Sequence, residues 1–368
     1  MMSLPNIKIW RFLIVVAFLA PFGHAQKPSD IDGKIWIDLN NEIDQFMEEG
    51  NVPALSIAFV KDGQVTFINK GNFSRESTDK ISENAIFQIA SISKMLTSVM
   101  INSLLIKGDL KLNASIVTYL PKDYPEKTLK KLRPITIRDL LHHRSGLPGS
   151  TKTYRKHRKG NEAFIYNYTE EDFRNDLNSV RMKSKVGEKY YYSNFGYALL
   201  GYIAELATKK TFEQLIKEYL QDAYSLASTS PKVMDSGQLV AAYRKDKRQD
   251  EIKPWVMGKL TPPSGLFSST NDLAKLMLFQ LKAYETGASN PLVLTNDTRI
   301  CQPESGVKYG YGFRVYGGSG VYGHGGEMDG FAGDYSINPK KNMGYVILTS
   351  CAGDEVYKLS RRISGILY

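Results

Sequence analysis

Serine and lysine stand three residues apart at Ser77/Lys80, Ser91/Lys94 and Ser305/Lys308. On a helix such a pair shares one face, so an amine whose pKa is lowered by burial can take the serine's proton. The spacing alone selects none of the three; context selects Ser91. It opens the run from Ser91 to Ile106, helical in pattern and apolar on most sides, and the free N–H groups of a helix's first turn favour developing negative charge. The bland reading is a capping serine beside a snorkelling surface lysine. Two further stretches carry reactive side chains: Tyr192-Ser193-Asn194, and Gly323-His324-Gly325-Gly326-Glu327. Their bland readings are an aromatic run on a core edge and a glycine-rich turn around one satisfied histidine.

The elements that must position these groups are legible in part. Residues 38–49 repeat apolar side chains at helical spacing. Residues 54–60 and 65–69 are β-rich runs around Asp62-Gly63, a tight-hairpin dipeptide. Lys107-Gly108-Asp109 ends the helix that Ser91 opens. The middle, residues 111–255, is helix-like, with its best segments at 136–141, 169–180, 195–208 and 211–220. Strands return at 311–315, 330–337 and 343–349, and residues 354–366 form a closing amphipathic helix. This order predicts an α+β fold: an antiparallel sheet flanked by helices, built from both chain ends (26–110 and 256–368), with an all-helical domain (111–255) inserted. A site is expected at the junction.

Composition narrows the class. The 368 residues are 42% hydrophobic and 23% charged, an ordinary globular balance that excludes disorder and collagen-like structure. Lys8 and Arg11, the apolar stretch Phe12–Ala20 and Gly23-His24-Ala25 read as a signal peptide over residues 1–25, cleaved after Ala25. A periplasmic or secreted protein is predicted, without stable membrane insertion after cleavage. The net charge of +10 is partly gathered at Lys152, Arg155, Lys156, Arg158 and Lys159, read as a solvated loop. No nucleic-acid motif accompanies it. Cys301 and Cys351 are the two cysteines, and spacing leaves a disulfide or two free thiols equally open. His142 and His143 are adjacent and lack the spacing of a helical zinc site; no metal and no cofactor are expected.

Ser91-x-x-Lys94, Tyr192-Ser193-Asn194 and His324-Gly325-Gly326, in that order, resemble the three active-site elements of the class C β-lactamase, DD-peptidase and related esterase family of penicillin-recognising serine hydrolases. Residues 135–148 (ITIRDLLHHRSGLP) look like that family's "ITIRHLLTHTSGL", and residues 263–273 (PSGLFSSTNDL) like its "GGLFSTAEDL". The resemblance runs from about residue 38 to 365 and implies the β-lactamase/transpeptidase-like fold. It makes Ser91 the nucleophile of an acyl-enzyme, with Lys94 and Tyr192 managing its proton. Asn194 would bind a substrate amide or the lysine. His324 takes the place of the lysine in K-[TS]-G, where it can hydrogen-bond Tyr192. Backbone N–H groups of Ser91 and Glu327 would form the oxyanion hole, and Gly325 and Gly326 would permit the close backbone approach.

The base is open at this level. A Tyr192 phenolate near pH 7 needs its pKa to fall by about 3, roughly 4 kcal/mol of differential stabilisation. A Lys94 ammonium helped by a charged His324 would supply much of it; a neutral His324 would not.

The third element departs from the family pattern. Its middle residue ordinarily bears a hydroxyl that helps hold a substrate carboxylate, and Gly325 bears nothing. This favours an esterase, amidase or peptidase acting on a small molecule or short peptide. A true β-lactamase or D-Ala-D-Ala carboxypeptidase is the alternative, with an Arg or Lys from a loop compensating. A penicillin-sensor-like binding protein that acylates without turnover is the alternative of another class. Glu327 raises an amine-bearing substrate as a further option.

Overall fold

In the computed structural model, which describes residues 33–367 apart from 159–163, 245–249, 287–289, 294–297, 303–305, 317–318 and 354, helix α1 (Gly33–Glu49) buries Leu39, Ile43 and Phe46 along one stripe. The expected signal peptide and Lys159 lie outside the described residues. Strands β1 (Ala54–Lys61) and β2 (Gln64–Gly71) join through Asp62 and Gly63, whose φ angles of 48° and 81° are those of a two-residue hairpin turn. After β3 (Phe87–Gln88), a 3₁₀ turn at Ala90–Ile92 leads into α2 (Ser93–Lys107), which ends at left-handed Gly108.

The middle of the chain holds α3 (Glu126–Leu132), α4 (Ile137–Leu141), α5 (Lys152–His157), α6 (Glu170–Ser179), α7 (Asn194–Thr208), α8 (Phe212–Ile216) and α9 (Asp222–Tyr224). Helices α4, α6 and α8 begin on capping boxes, Thr136/Asp139, Thr169/Asp172 and Thr211/Gln214. The helix expected over 211–220 leaves α-geometry at Lys217–Gln221, which is π-helical. The segment also carries β4 (Ala242–Tyr243) paired with β5 (Glu251–Ile252), and Leu239 and Tyr243 bridge to Ile86 and Cys351.

Helix α10 (Thr261–Ser264) and β6 (Phe267–Ser268), the partner of β3, precede α11 (Thr270–Thr286). Strands β7 (Arg299–Gln302), β8 (Val307–Tyr309), β9 (Arg314–Val315), β10 (Tyr322–Met328), β11 (Phe331–Asn338) and β12 (Met343–Thr349) follow, and α12 (Glu355–Leu367) closes the chain. The main sheet runs β2-β1-β12-β11-β10-β9-β8-β7, with antiparallel neighbours throughout.

Period-two alternation splits β1 between two cores. Leu55, Ile57 and Phe59 meet α1 and α12, whereas Ala54, Ala58 and Val60 join the larger core with α2 and α11. Two expectations change here. The strand predicted over 311–315 is only Arg314–Val315, because Gly312 has a φ of 80° and lies against the backbone of Lys94 and Met95. Residues 323–327 are not a turn but the body of β10, paired residue for residue with β11. Glycine weakens a strand's local signal, and here the ladder supplies what propensity does not.

Candidate functional site

Ser91 sits in the 3₁₀ turn just before α2, not on a helix cap, and the residue before it, Ala90, has a φ of 47°. A non-glycine residue held in that region is strained, and such strain persists where the surroundings impose it. The turn is wedged between α10 and β10. From α2, Lys94 reaches back one turn to place Nζ 3.1 Å from Ser91 Oγ and 2.8 Å from the Pro263 carbonyl oxygen. Thr97, on the same helix face, donates to the Pro262 carbonyl, so the two proline carbonyls of α10 fix this face of α2.

Lys94 is fully buried and no carboxylate is among its partners. Burial, and then the Arg314 cation, hold its pKa well below the ordinary 10.5. The lowered pKa suits the amine to take the Ser91 proton while it donates to Pro263.

Tyr192 reaches the same serine, its hydroxyl donating to Ser91 Oγ at 3.0 Å. Its ring faces Lys94, with Nζ 4.7 Å from the centroid. The loop that carries it is fixed by α7 and α4. Ser193 caps α7 through the Gly196 N–H, donates its hydroxyl to Pro148, and donates its own backbone N–H to His143 Nδ1 at 3.1 Å. His143 packs against the rings of Tyr190, Tyr192, Tyr197 and Tyr309. Burial drives its pKa well below 6.5 and keeps it neutral. Burial pushes the Tyr192 phenol up to about 12, although the Ser91 contact and Arg314 pull the other way. The phenol therefore keeps its proton near neutral pH.

His324 is buried beside this cluster, but the hydrogen bond expected to Tyr192 is not formed. The two ring centroids are 6.2 Å apart. Nδ1 lies 2.6 Å from its neighbour's carbonyl oxygen at Gly325, which can only accept, so Nδ1 carries the proton. Nε2 is left to accept from the Tyr309 hydroxyl at 3.1 Å. Burial, then Lys94 and Arg314, lower its pKa to about 3, so it brings no charge to Tyr192 and shapes the site as a neutral group.

Strand β10 brings the remaining residues. A Cβ on Gly326 would lie 3.1 Å from the Ser91 nitrogen and would also meet the Ile89 carbonyl, so the strand passes against the backbone at Ser91 where only glycine fits. That approach suits an oxyanion site made from the N–H groups of Ser91 and Glu327. Past Gly323, β10 has no paired residue on its β9 side. A cleft of about 130 Å³ opens above Ser91, lined on one side by Tyr154, Trp255, Met257 and Met328 and on the other by Asn194 and Glu327. The buried Asn194 Oδ1 has no hydrogen-bond partner among the described residues, leaving an acceptor for a substrate N–H. Arg158, read from sequence as part of a solvated loop, instead pairs with Asp329 in the β10–β11 turn and stacks on Trp255.

Ser91, Lys94, Tyr192, Asn194, His324, Gly325, Gly326 and Glu327 thus converge on one place. Two functional groups were missed. His143 lies in the run His142-His143-Arg144-Ser145-Gly146, where its adjacency to His142 speaks against a helical zinc site and gives no sign of its contact with the Tyr192 loop. Arg314 gave no signal, being one arginine in a two-residue strand; its nearest electrostatic neighbours are Tyr316, Tyr190, Tyr309 and Tyr192, and it makes no ion pair among the described residues. A larger cavity of about 820 Å³ shares Trp255 and Met257 with the cleft but lies away from Ser91. Cys301 and Cys351 are thiols rather than a disulfide. No helix among the described residues is long and apolar enough to cross a membrane.

Known proteins resemble this chain in sequence and in fold. The chain is 27% identical over 338 residues to protein flp of Staphylococcus aureus (strain MW2), a match that covers 88% of this chain and 64% of the relative's length. It is 24% identical to a putative D-alanyl-D-alanine carboxypeptidase of Salmonella enteritidis PT4, over 88% of this chain and 82% of that protein. In fold it matches a β-lactamase/D-alanine carboxypeptidase from Pseudomonas syringae with a TM-score of 0.75 at 21% identity, covering 91% of this chain and 99% of the other. It also matches an octameric penicillin-binding protein homologue from Pyrococcus abyssi, TM-score 0.74 at 25% identity, covering 89% and 77%. The β-lactamase family model matches residues 39–366, nearly everything that the sheet, the helices and the serine cleft are built from, and the chain belongs to that family.

Proposed function

We propose that this protein is an exported serine hydrolase that forms an acyl-enzyme on Ser91 and cleaves a small ester, amide or peptide. One observation carries the reading: Ser91 Oγ lies 3.1 Å from the buried Lys94 amine, whose pKa burial lowers, and 3.0 Å from the Tyr192 hydroxyl, in a cleft that Ser91 lines. Lys94 takes the Ser91 proton as Oγ bonds to the substrate carbonyl carbon. The oxyanion rests on the N–H groups of Ser91 and Glu327. As the intermediate collapses, the bond to the leaving group breaks; Tyr192 gives that group its proton and regains one from Lys94. Water then gives a proton to Lys94 and attacks the ester carbonyl; the bond from the acyl carbon to Ser91 Oγ breaks, and Lys94 returns the proton to Oγ, which restores the serine. Export rests on the charged, apolar and small-residue pattern of residues 8–25.

A narrower reading, cleavage of a peptide ending in a free carboxylate, is favoured by Arg314, a guanidinium beside the site that no carboxylate in ion-pair contact neutralises. The names of the Salmonella and Pseudomonas proteins point the same way.

The test is a panel of a D-alanyl-D-alanine peptide, a D-amino-acid amide, a p-nitrophenyl ester and a chromogenic cephalosporin, with intact-mass detection of the adduct. Product beyond one equivalent is expected from the ester and the peptide, and no adduct from Ser91→Ala. Tyr192→Phe should slow acylation by about 10²- to 10⁴-fold. Adduct without turnover would identify a sensor instead, and efficient cephalosporin turnover a β-lactamase.

A further inference from the structure

The basic run that reads as a solvated loop divides in the structure. Arg158 pairs with Asp329, but Lys152 and Arg155, on α5, line a hollow of about 480 Å³ together with Arg181 and Lys183, which follow α6. None of these four cations makes an ion pair among the described residues. The one carboxylate in the lining, Asp176, is buried and already occupied: it accepts from the Thr153 N–H and from the Tyr168 hydroxyl. Like charges gathered around one volume repel one another, and an anion that enters it relieves the repulsion.

The hollow is also organised. The Arg155 guanidinium donates through Nη1 to the Ser150 carbonyl at 2.8 Å and to the Ser150 hydroxyl oxygen at 3.3 Å, which leaves its Nε–H and Nη2–H for a ligand. Ser150, Thr151 and Phe195 line this hollow and the Ser91 cleft alike, so the two share a wall. A lone carboxylate would answer only one of the four charges. A phosphate monoester is close to a dianion near neutral pH and offers three acceptor oxygens, a match for two guanidinium forks and the lysines beside them. We propose that this hollow is a binding site for a phosphate monoester, separate from the Ser91 cleft and backed onto it. Its volume of about 480 Å³ falls within the roughly 300–1,000 Å³ of small-molecule sites. The site needs no chemistry from Ser91, so the inference goes beyond the hydrolase reading.

The experiment measures phenyl phosphate binding to the full chain by equilibrium dialysis at fixed ionic strength, in wild type and in Ser91→Ala. One equivalent should bind saturably, and about 10-fold more tightly than phenyl sulfate, which is also tetrahedral but carries a single charge. Lys152→Gln/Arg181→Gln removes two cations that make no hydrogen bond among the described residues and should weaken binding by about 10-fold. Lys156→Gln/Lys358→Gln removes the same charge from outside the lining and should leave Kd in place. Unsaturable binding, equal affinity for sulfate and phosphate, or equal losses in the two double variants overturns the site, leaving only general attraction to a basic protein. A second arm shows where the phosphate comes from, with p-nitrophenyl butyrate and its 4-phosphonooxy derivative as substrates. A phosphate carried on the substrate raises kcat/KM for the phosphorylated ester, and Lys152→Gln/Arg181→Gln removes the advantage; a separate phosphate ligand leaves the esters equal while phenyl phosphate still binds. Saturable phenyl phosphate binding without turnover of either ester overturns the Ser91 reading and leaves this site standing.

Discussion

Lys94 decides how Ser91 is activated. A buried ammonium with no carboxylate in contact is an expensive state, which lowers the pKa of the amine. Tyr192 is pushed the other way, up to about 12, so in the proposed mechanism the lysine is the base and the phenol carries the proton to the leaving group. The sign for activity follows: protonating Lys94 removes the base, so kcat/KM falls as pH drops through the lowered lysine pKa. It should reach a plateau well short of pH 12, and His324, near 3, should add no second limb in the ordinary histidine range. A rate that kept rising into the phenol's range would make Tyr192 the base after all. The same shift destabilises the fold at neutral pH: the unfolded chain takes up a proton that the folded lysine refuses, so this contribution to stability rises with pH up to about 10.5.

At the scale of elements, the site depends on where helices begin. Thr136, Thr169 and Thr211 head runs whose starts are readable, because a cap and its partner three residues on are local chemistry. Ser193 is different: besides capping α7 it ties the Tyr192 loop to Pro148 and His143 across the fold. Ser193→Ala should lower stability by about 1–2 kcal/mol in denaturant unfolding. It should also lower kcat/KM by more than stability explains, because Tyr192 and Asn194 flank the cap; Ser193→Thr, which can still cap, should restore most of both. Equal activity in Ser193→Ala would mean that the loop is held by packing alone. Strand β10 marks the limit of local reading: five residues with three glycines carry no strand signal, and pairing with β11 makes them one.

For the whole molecule, the main sheet separates two cores. Leu96 on α2 belongs to one and Ile363 on α12 to the other, both fully buried. Truncating either to alanine should cost about 2–5 kcal/mol. Because the sheet lies between them, the double variant should be additive within about 0.5 kcal/mol; strong coupling in chemical denaturation would show that strain passes through the sheet. This layering brings β10, between the strands of the far chain end, against the turn that holds Ser91, and it brings α12 over Gly325.

The amino-acid sequence by itself determined the family, the hairpin at Asp62-Gly63 and most helix starts, and it singled out Ser91, Lys94 and Tyr192, which the fold brings together, since these depend on residue types at short spacing. Tertiary structure alone decided which way the pKa values of Lys94, Tyr192 and His324 shift, because burial and the nearness of Arg314 are properties of packing. It alone turned His324 toward Tyr309, set His143 beneath the Tyr192 loop and laid Tyr357 over Gly325. Each of those contacts joins residues from different elements, and no local pattern encodes which distant side chain fills the space a glycine leaves.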